Sequence, residues 1–174
     1  SKASAEISES EVLQMSLIQN LSTSRNQYMQ VIRGKTAILF ASACEVGGLI
    51  AKAKNKQIEA LRLYGEALGI SFQMVDDFLD YSGNKFDLGK NIGDDFREKK
   101  ITLPIIYSLE KKNQSSRNFW KRTLGKGHQE DNDFKAAQNL LVQDGSLEKT
   151  RLEAIKWSKI AKDQLSLLPN SKIN

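Results

Sequence analysis

The chain has little of what most small folds use as fasteners. Its 174 residues include one cysteine, two prolines and one histidine. One cysteine cannot close a disulfide within the chain, so Cys44, set in an apolar helical stretch, reads as a small core residue suited to a reducing cytoplasm. A lone histidine and a lone cysteine leave no paired ligands for a zinc site and no nucleophile–histidine arrangement. His128, in a polar stretch, reads as a surface residue. No run is long and apolar enough to cross a membrane, and no secretory signal pattern opens the chain. Ser1 is not an initiator methionine, which suggests a start inside a longer protein. Alternating strand patterns and internal repeats are also missing. What remains is globular in composition, 40% hydrophobic and 27% charged, with a net charge of +5. That charge directs attention to nucleic acid, an anionic membrane surface or phosphorylated substrates.

The apolar spacing is helical throughout and predicts an all-α single domain. Helices are expected over 3–19, 35–52, 56–80, 103–112, 115–124, 133–143 and 146–167, with a short helical turn at 28–33. The 35–52 segment is apolar nearly all round and reads as a buried helix. Gly47-Gly48 within it would admit a close neighbour at a cost of about 1 kcal/mol each in helix propensity. Asp144-Gly145-Ser146 is a stop-and-cap signal. The polar segment 81–100 is long for a plain connection and reads as an active-site loop. Residues 169–174 read as a frayed tail.

The most telling stretch is the acidic box Asp76-Asp77-Phe78-Leu79-Asp80, which ends a long apolar run. Removing an unpaired charge from water is costly. Asp76 and Asp80 are four apart, so on a helix they share a face and repel. They also lie near the negative end of the helix dipole. A hard divalent cation with oxygen ligands, Mg2+ above all, would offset all three penalties. Gln73 faces the same way as Asp76 and Asp80, and an amide there can orient a ligand without adding charge.

Two groups of cations complement the box. Lys90, Lys99 and Lys100 follow it among Asp94, Asp95 and Glu98; taken alone they read more readily as a mixed-charge surface loop. With the box they are what a metal–diphosphate complex needs: carboxylates hold the metal, the metal bridges phosphate oxygens, and ammonium groups neutralise the rest. Lys35-Thr36 is placed by its pattern at the start of a buried helix, where backbone N–H groups, the lysine and the hydroxyl could hold an anion. The basic stretch 111–126 carries Phe119 and Trp120 and could stack on nucleic acid. A solvated helix with one apolar side accounts for it better, and no nucleic-acid partner is expected. Gly125-Lys126-Gly127 lacks the rest of a phosphate-loop pattern.

Together these motifs resemble the trans-isoprenyl diphosphate synthases. Phe72-Gln73-Met74-Val75-Asp76-Asp77-Phe78-Leu79-Asp80 is similar to that family's second aspartate-rich motif. Gly89-Lys90-Asn91-Ile92-Gly93-Asp94-Asp95-Phe96-Arg97-Glu98 and Lys100-Ile101-Thr102-Leu103-Pro104 are similar to its next block. Lys35-Thr36 looks like its lysine–threonine pair, and Glu11-Val12-Leu13-Gln14 is similar to a segment of an earlier catalytic helix. The matches keep the family's order, and their detail is most like the long-chain bacterial synthases that make octaprenyl or decaprenyl diphosphate for ubiquinone.

The resemblance implies a prenyl synthase helical bundle, present here as its C-terminal half. It implies Mg2+-assisted loss of diphosphate from an allylic diphosphate and attack by isopentenyl diphosphate. By position, Asp76, Asp77 and Asp80 would hold metal. Lys35, Gln73, Lys90 and Lys100 would bind the allylic diphosphate. Lys35, Thr36 and Gln73 would be catalytic. A cytoplasmic homodimer releasing its product to a membrane is implied as well. Two positions depart from the family: Lys99 and Ser10 stand where it usually has glycine. The family's first aspartate-rich motif has no counterpart in this sequence, so the whole reaction would need another half. The alternative reading is an inactive fragment or a non-catalytic helical subunit that assembles with a synthase.

Overall fold

A computed structural model describes residues 2–83 and 92–169, apart from the Lys2 side chain. Every regular element among them is helical, and none of these helices is long and apolar enough to cross a membrane. The organising element is α4, Asn55–Ser82. Its 28 residues carry buried Ala60, Ala67, Ile70, Met74 and Tyr81 along one side, the spacing of a helix that packs lengthwise. Against it lie α3, Ile38–Ile50, and the last helix, α9, Ser146–Leu165. Gly65 and Gly69 set the α3 contact. A Cβ on Gly65 would lie 2.4 Å from the Phe40 carbonyl oxygen, and one on Gly69 would lie 2.6 Å from Ala37 Cα. Two backbones meet there with no room for a side chain.

The first helix, α1, spans Lys2–Ser16. The second, α2, Arg25–Ile32, starts from a reciprocal cap between Ser24 and Gln27, which satisfies two otherwise unpaired amides. The chain does not break before α3. Arg33–Ala37 is a π turn that joins α2 to α3 in one helical path. Lys35-Thr36 therefore does not open a helix: its amides lie inside a continuous run, and the Ile38 amide already donates to the Arg33 carbonyl. No helix start is available there to hold an anion through free amides.

Beyond α4 come the single turn α5, Asp94–Arg97, then α6, Leu103–Glu110, with Pro104 in its first turn. Next are α7, Gln114–Trp120, a second π turn, Lys121–Gly125, and α8, Asp133–Gln143. Gly145, at φ +74°, separates α8 from α9, and the Ser146 amide donates to Asp144 Oδ1, as the stop-and-cap signal predicts. Trp120 is fully buried with its indole donating to Ser108 Oγ, so 111–126 does not offer it for stacking. His128 is exposed. The 81–100 segment and the 169–174 tail fall partly outside the described residues.

Two burial expectations are corrected. The apolar helix after Lys35 is covered only where it meets α4: Ala41 and Gly48 are buried, whereas Leu39, Val46 and Ile50 are 52%, 51% and 78% exposed. Phe72, in ring contact with Phe40, is 56% exposed. Cys44 is half-buried, not a core residue.

Candidate active site

A cavity of about 190 Å³ opens where α1, α2, the first π turn, α4 and the link before α6 converge. Lys35, Thr36, Gln73, Asp76, Asp77 and Lys100 all line it. The backbone explains the meeting. Gly69 lets α4 touch the π turn at Ala37, and one helical turn on, Gln73 reaches Thr36. The Thr36 hydroxyl donates to Gln73 Oε1 at 3.0 Å. The π turn shifts the helical phase locally, as such turns often do at functional sites.

Asp77 is the centre of a buried network. Oδ2 accepts from the Tyr28 hydroxyl at 2.7 Å and Oδ1 from Gln73 Nε2 at 3.1 Å. The Leu103 amide adds a backbone hydrogen bond. Burial pushes this carboxyl up to about 6, against the downward pull of Tyr28 and Gln73. Asp80 is arranged differently and does not line the cavity. Its Oδ1 accepts the amides of Gly93 and Asp94, at 3.0 and 3.2 Å, and its Oδ2 accepts the Asp95 amide at 3.1 Å. It holds the turn that starts α5. Burial raises its pKa, and these three amides oppose the rise.

The electrostatic case for a cation is thereby narrowed. Two of the three box carboxylates, Asp77 and Asp80, have protein donors that offset part of their desolvation. Asp76 lines the cavity, as does Asp95. Sequence reasoning gave Asp95 no part in the site; its one signal was its place in the block after the box. Burial first, then the charges of Asp77 and Asp80, push Asp95 up to about 7. Lys100 Nζ lies 3.5 Å from Asp95 Oδ1 and also pairs with Glu98. Burial works to lower the Lys100 pKa, but Glu98 and Asp95 outweigh it and the net shift is upward.

Asp76 and Asp95 are oxygen donors of the kind a hard cation takes. Among the described residues, no three His, Cys, Asp or Glu side chains converge as a metal-holding group. Of the box, Asp76 could offer a carboxylate to Mg2+ from one wall of the cavity. Lys35 Nζ donates to Gln14 Oε1 at 2.9 Å, which adds Gln14 to the site; its signal was the Glu11–Gln14 segment. Tyr28 carried no signal, since it lay in what read as a plain helical turn. Lys90 lies outside the described residues.

Comparison with known proteins gives a consistent answer. The family described as polyprenyl synthetase matches residues 1–141. The geranylgeranyl diphosphate synthase of Saccharolobus solfataricus is 36% identical over 95% of this chain and 49% of its own length. The solved decaprenyl diphosphate synthase of Rhodobacter capsulatus is 50% identical, with a TM-score of 0.91 over 98% of this chain and 52% of that one. The polyprenyl synthase of Caulobacter crescentus, solved with calcium and isoprenyl diphosphate, is 40% identical, with a TM-score of 0.93 over the same shares. The chain spans about half the length of the curated relatives it matches.

Proposed function

The chain belongs to the polyprenyl synthetase family, and on that premise we propose that it forms one wall of a Mg2+-dependent prenyltransferase site. The reaction is condensation of isopentenyl diphosphate with an allylic diphosphate into a long-chain polyprenyl diphosphate. One observation carries the reading: a single cavity gathers Lys35, Lys100, Thr36, Gln73 and Asp76. Cations for phosphate oxygens, an oxygen ligand for a metal and an oriented amide–hydroxyl pair are the parts such a reaction uses.

Asp76 would be the direct Mg2+ ligand, with Asp77 and Asp80 fixing its surroundings; bound Mg2+ would neutralise phosphate oxygens and favour departure of the diphosphate. Lys35 and Lys100 would hold the allylic diphosphate from two sides, together with Lys90. Thr36 and Gln73 would stand beside the bond that breaks. Val31, Ile32 and Ile101 on the same wall would keep water from the reacting carbon.

The other wall, with the first aspartate-rich motif, would come from the half that this chain does not span. The exposed Leu39, Val46 and Ile50 of α3 and Phe72 of α4 support that reading, since exposed large apolar side chains suit an interface. The complete synthase is proposed to act as a homodimer in the cytoplasm and to pass its product to a membrane. The test is incorporation of labelled isopentenyl diphosphate by the chain combined with the N-terminal half. Mg2+-dependent elongation is expected. No product with both halves present would sink the proposal and leave a non-catalytic subunit as the better account.

A further inference from the structure

Hydrogen-bond direction is fixed along a buried path that ends in the cavity. Tyr28 is buried, and its hydroxyl lies 2.7 Å from Asp77 as a donor. It donates to Asp77 Oδ2. The other oxygen, Oδ1, faces Gln73. Gln73 turns its NH2 toward Asp77, with Nε2 donating to Oδ1 at 3.1 Å. Its carbonyl oxygen then faces Thr36, and an amide oxygen only accepts. Thr36 has one hydroxyl hydrogen, and it is committed to Gln73. What Thr36 presents to the cavity is lone pairs.

We propose that Tyr28 and Asp77 are positioning residues that set the direction of the Gln73 amide and, through it, point the lone pairs of Thr36 into the cavity. A hydroxyl so held cannot donate to a phosphate oxygen; it can face positive charge. This reverses the anion-holding part that the sequence suggested for the Thr36 hydroxyl. The significance for turnover rests on the function proposed above; the direction of the amide does not.

Two readouts test it. The first is the side-chain amide spectrum of Gln73 by nitrogen-edited NMR at pH 8, its signal identified by its loss in Gln73→Leu. One Gln73 amide hydrogen should lie downfield and exchange at least about tenfold more slowly than in free glutamine, as expected for a buried bond to a carboxylate. Asp77→Asn places an NH2 beside Gln73 and should abolish that signature. A free-glutamine signature in the unaltered protein, or one unchanged by Asp77→Asn, overturns the proposal.

The second readout is kinetic, in the chain assembled with its other half. Asp77→Asn should lower kcat about tenfold or more. The KM for the allylic diphosphate and the Mg2+ midpoint should each stay within about threefold. In a Thr36→Val background the same change should cost less than about twofold, because effects acting through one residue do not add. Tyr28→Phe should act in the same sense. Equal losses in both backgrounds, or a shifted Mg2+ midpoint, would make Asp77 a structural residue or a metal ligand instead. If the unaltered assembly has no turnover, the proposed function fails, while the NMR result still decides the direction of the amide.

Discussion

Gly34 and Ser10 are pressed together where α1 crosses the first π turn: a Cβ added to Gly34 would lie 1.8 Å from Ser10 Oγ and 3.0 Å from Ser10 Cβ. Ser10 is one of the two departures from the family pattern, and the structure shows how it is accommodated. The side chain at position 10 occupies the space that glycine leaves at 34. The pair should behave as a unit. Gly34→Ala should destabilise the protein by about 1–3 kcal/mol, the usual range for overpacking. In a Ser10→Gly background most of that loss should vanish, since the next neighbour of the added methyl is the Glu6 carbonyl oxygen at 3.3 Å. Urea unfolding of the four proteins in the cycle measures the coupling.

Lys99, the second departure, takes φ +57°. That left-handed conformation explains why glycine suits the position. An L side chain there costs roughly 1–2 kcal/mol, while glycine gives back part of the gain through a looser unfolded chain. Lys99→Gly should therefore stabilise the fold by about 0.5–1 kcal/mol, read as a higher urea midpoint at unchanged slope.

Asp80 should prove to be a loop anchor. Asp80→Ala removes the side-chain acceptor of the Gly93, Asp94 and Asp95 amides. Buried amides left without partners cost about 1–3 kcal/mol each. Hydrogen exchange at Gly93–Asp95 should accelerate by at least about tenfold, while amides in the middle of α4 keep their protection. Unchanged protection at the turn would contradict the anchor.

The buried acids predict an inverted pH response. Burial raises Asp77 to about 6 and Asp95 to about 7 from an ordinary 3.8. Between those values the folded state binds more protons than the unfolded one, so stability falls as pH rises from about 4 to 7. In the absence of metal, the melting temperature should be higher at pH 5 than at pH 8, by an amount equivalent to roughly 1–3 kcal/mol. Asp77→Asn should flatten the profile. Ion-paired Asp133 and Glu148, both shifted downward by their arginines, oppose the trend only at lower pH.

How much of this was legible in the sequence differs from residue to residue. Helix α4 and the placing of the acidic box at its end follow from apolar period and length. So does the α8–α9 break, because Gly145 and Asp144 act locally. The joining of α2 to α3 was hidden, since a π turn inserts one residue into the repeat and looks like a gap between two helices. The exposure of Leu39, Val46 and Ile50 was hidden for another reason: periodicity reports which faces are apolar, not which are covered. Lys35, Thr36, Gln73, Asp76 and Lys100 could be gathered from motif order and charge. Tyr28 could not, because its bond to Asp77 spans 49 positions and leaves no local trace. Asp77 and Asp80 show the limit of reasoning from net charge: backbone amides, an amide side chain and a phenol take up part of the desolvation cost that the sequence assigned to a cation.

The central claim is that the cavity between the π turn and α4 is one wall of a Mg2+–diphosphate site. The most direct measurement is calorimetric titration of the protein with inorganic diphosphate, with and without Mg2+. Saturable uptake that requires Mg2+ is predicted, weakened at least about tenfold by Asp76→Asn, the loss expected for a charged ligand. Lys35→Ala should weaken it similarly. Binding that is absent, indifferent to Mg2+ or unchanged by Asp76→Asn would contradict the account.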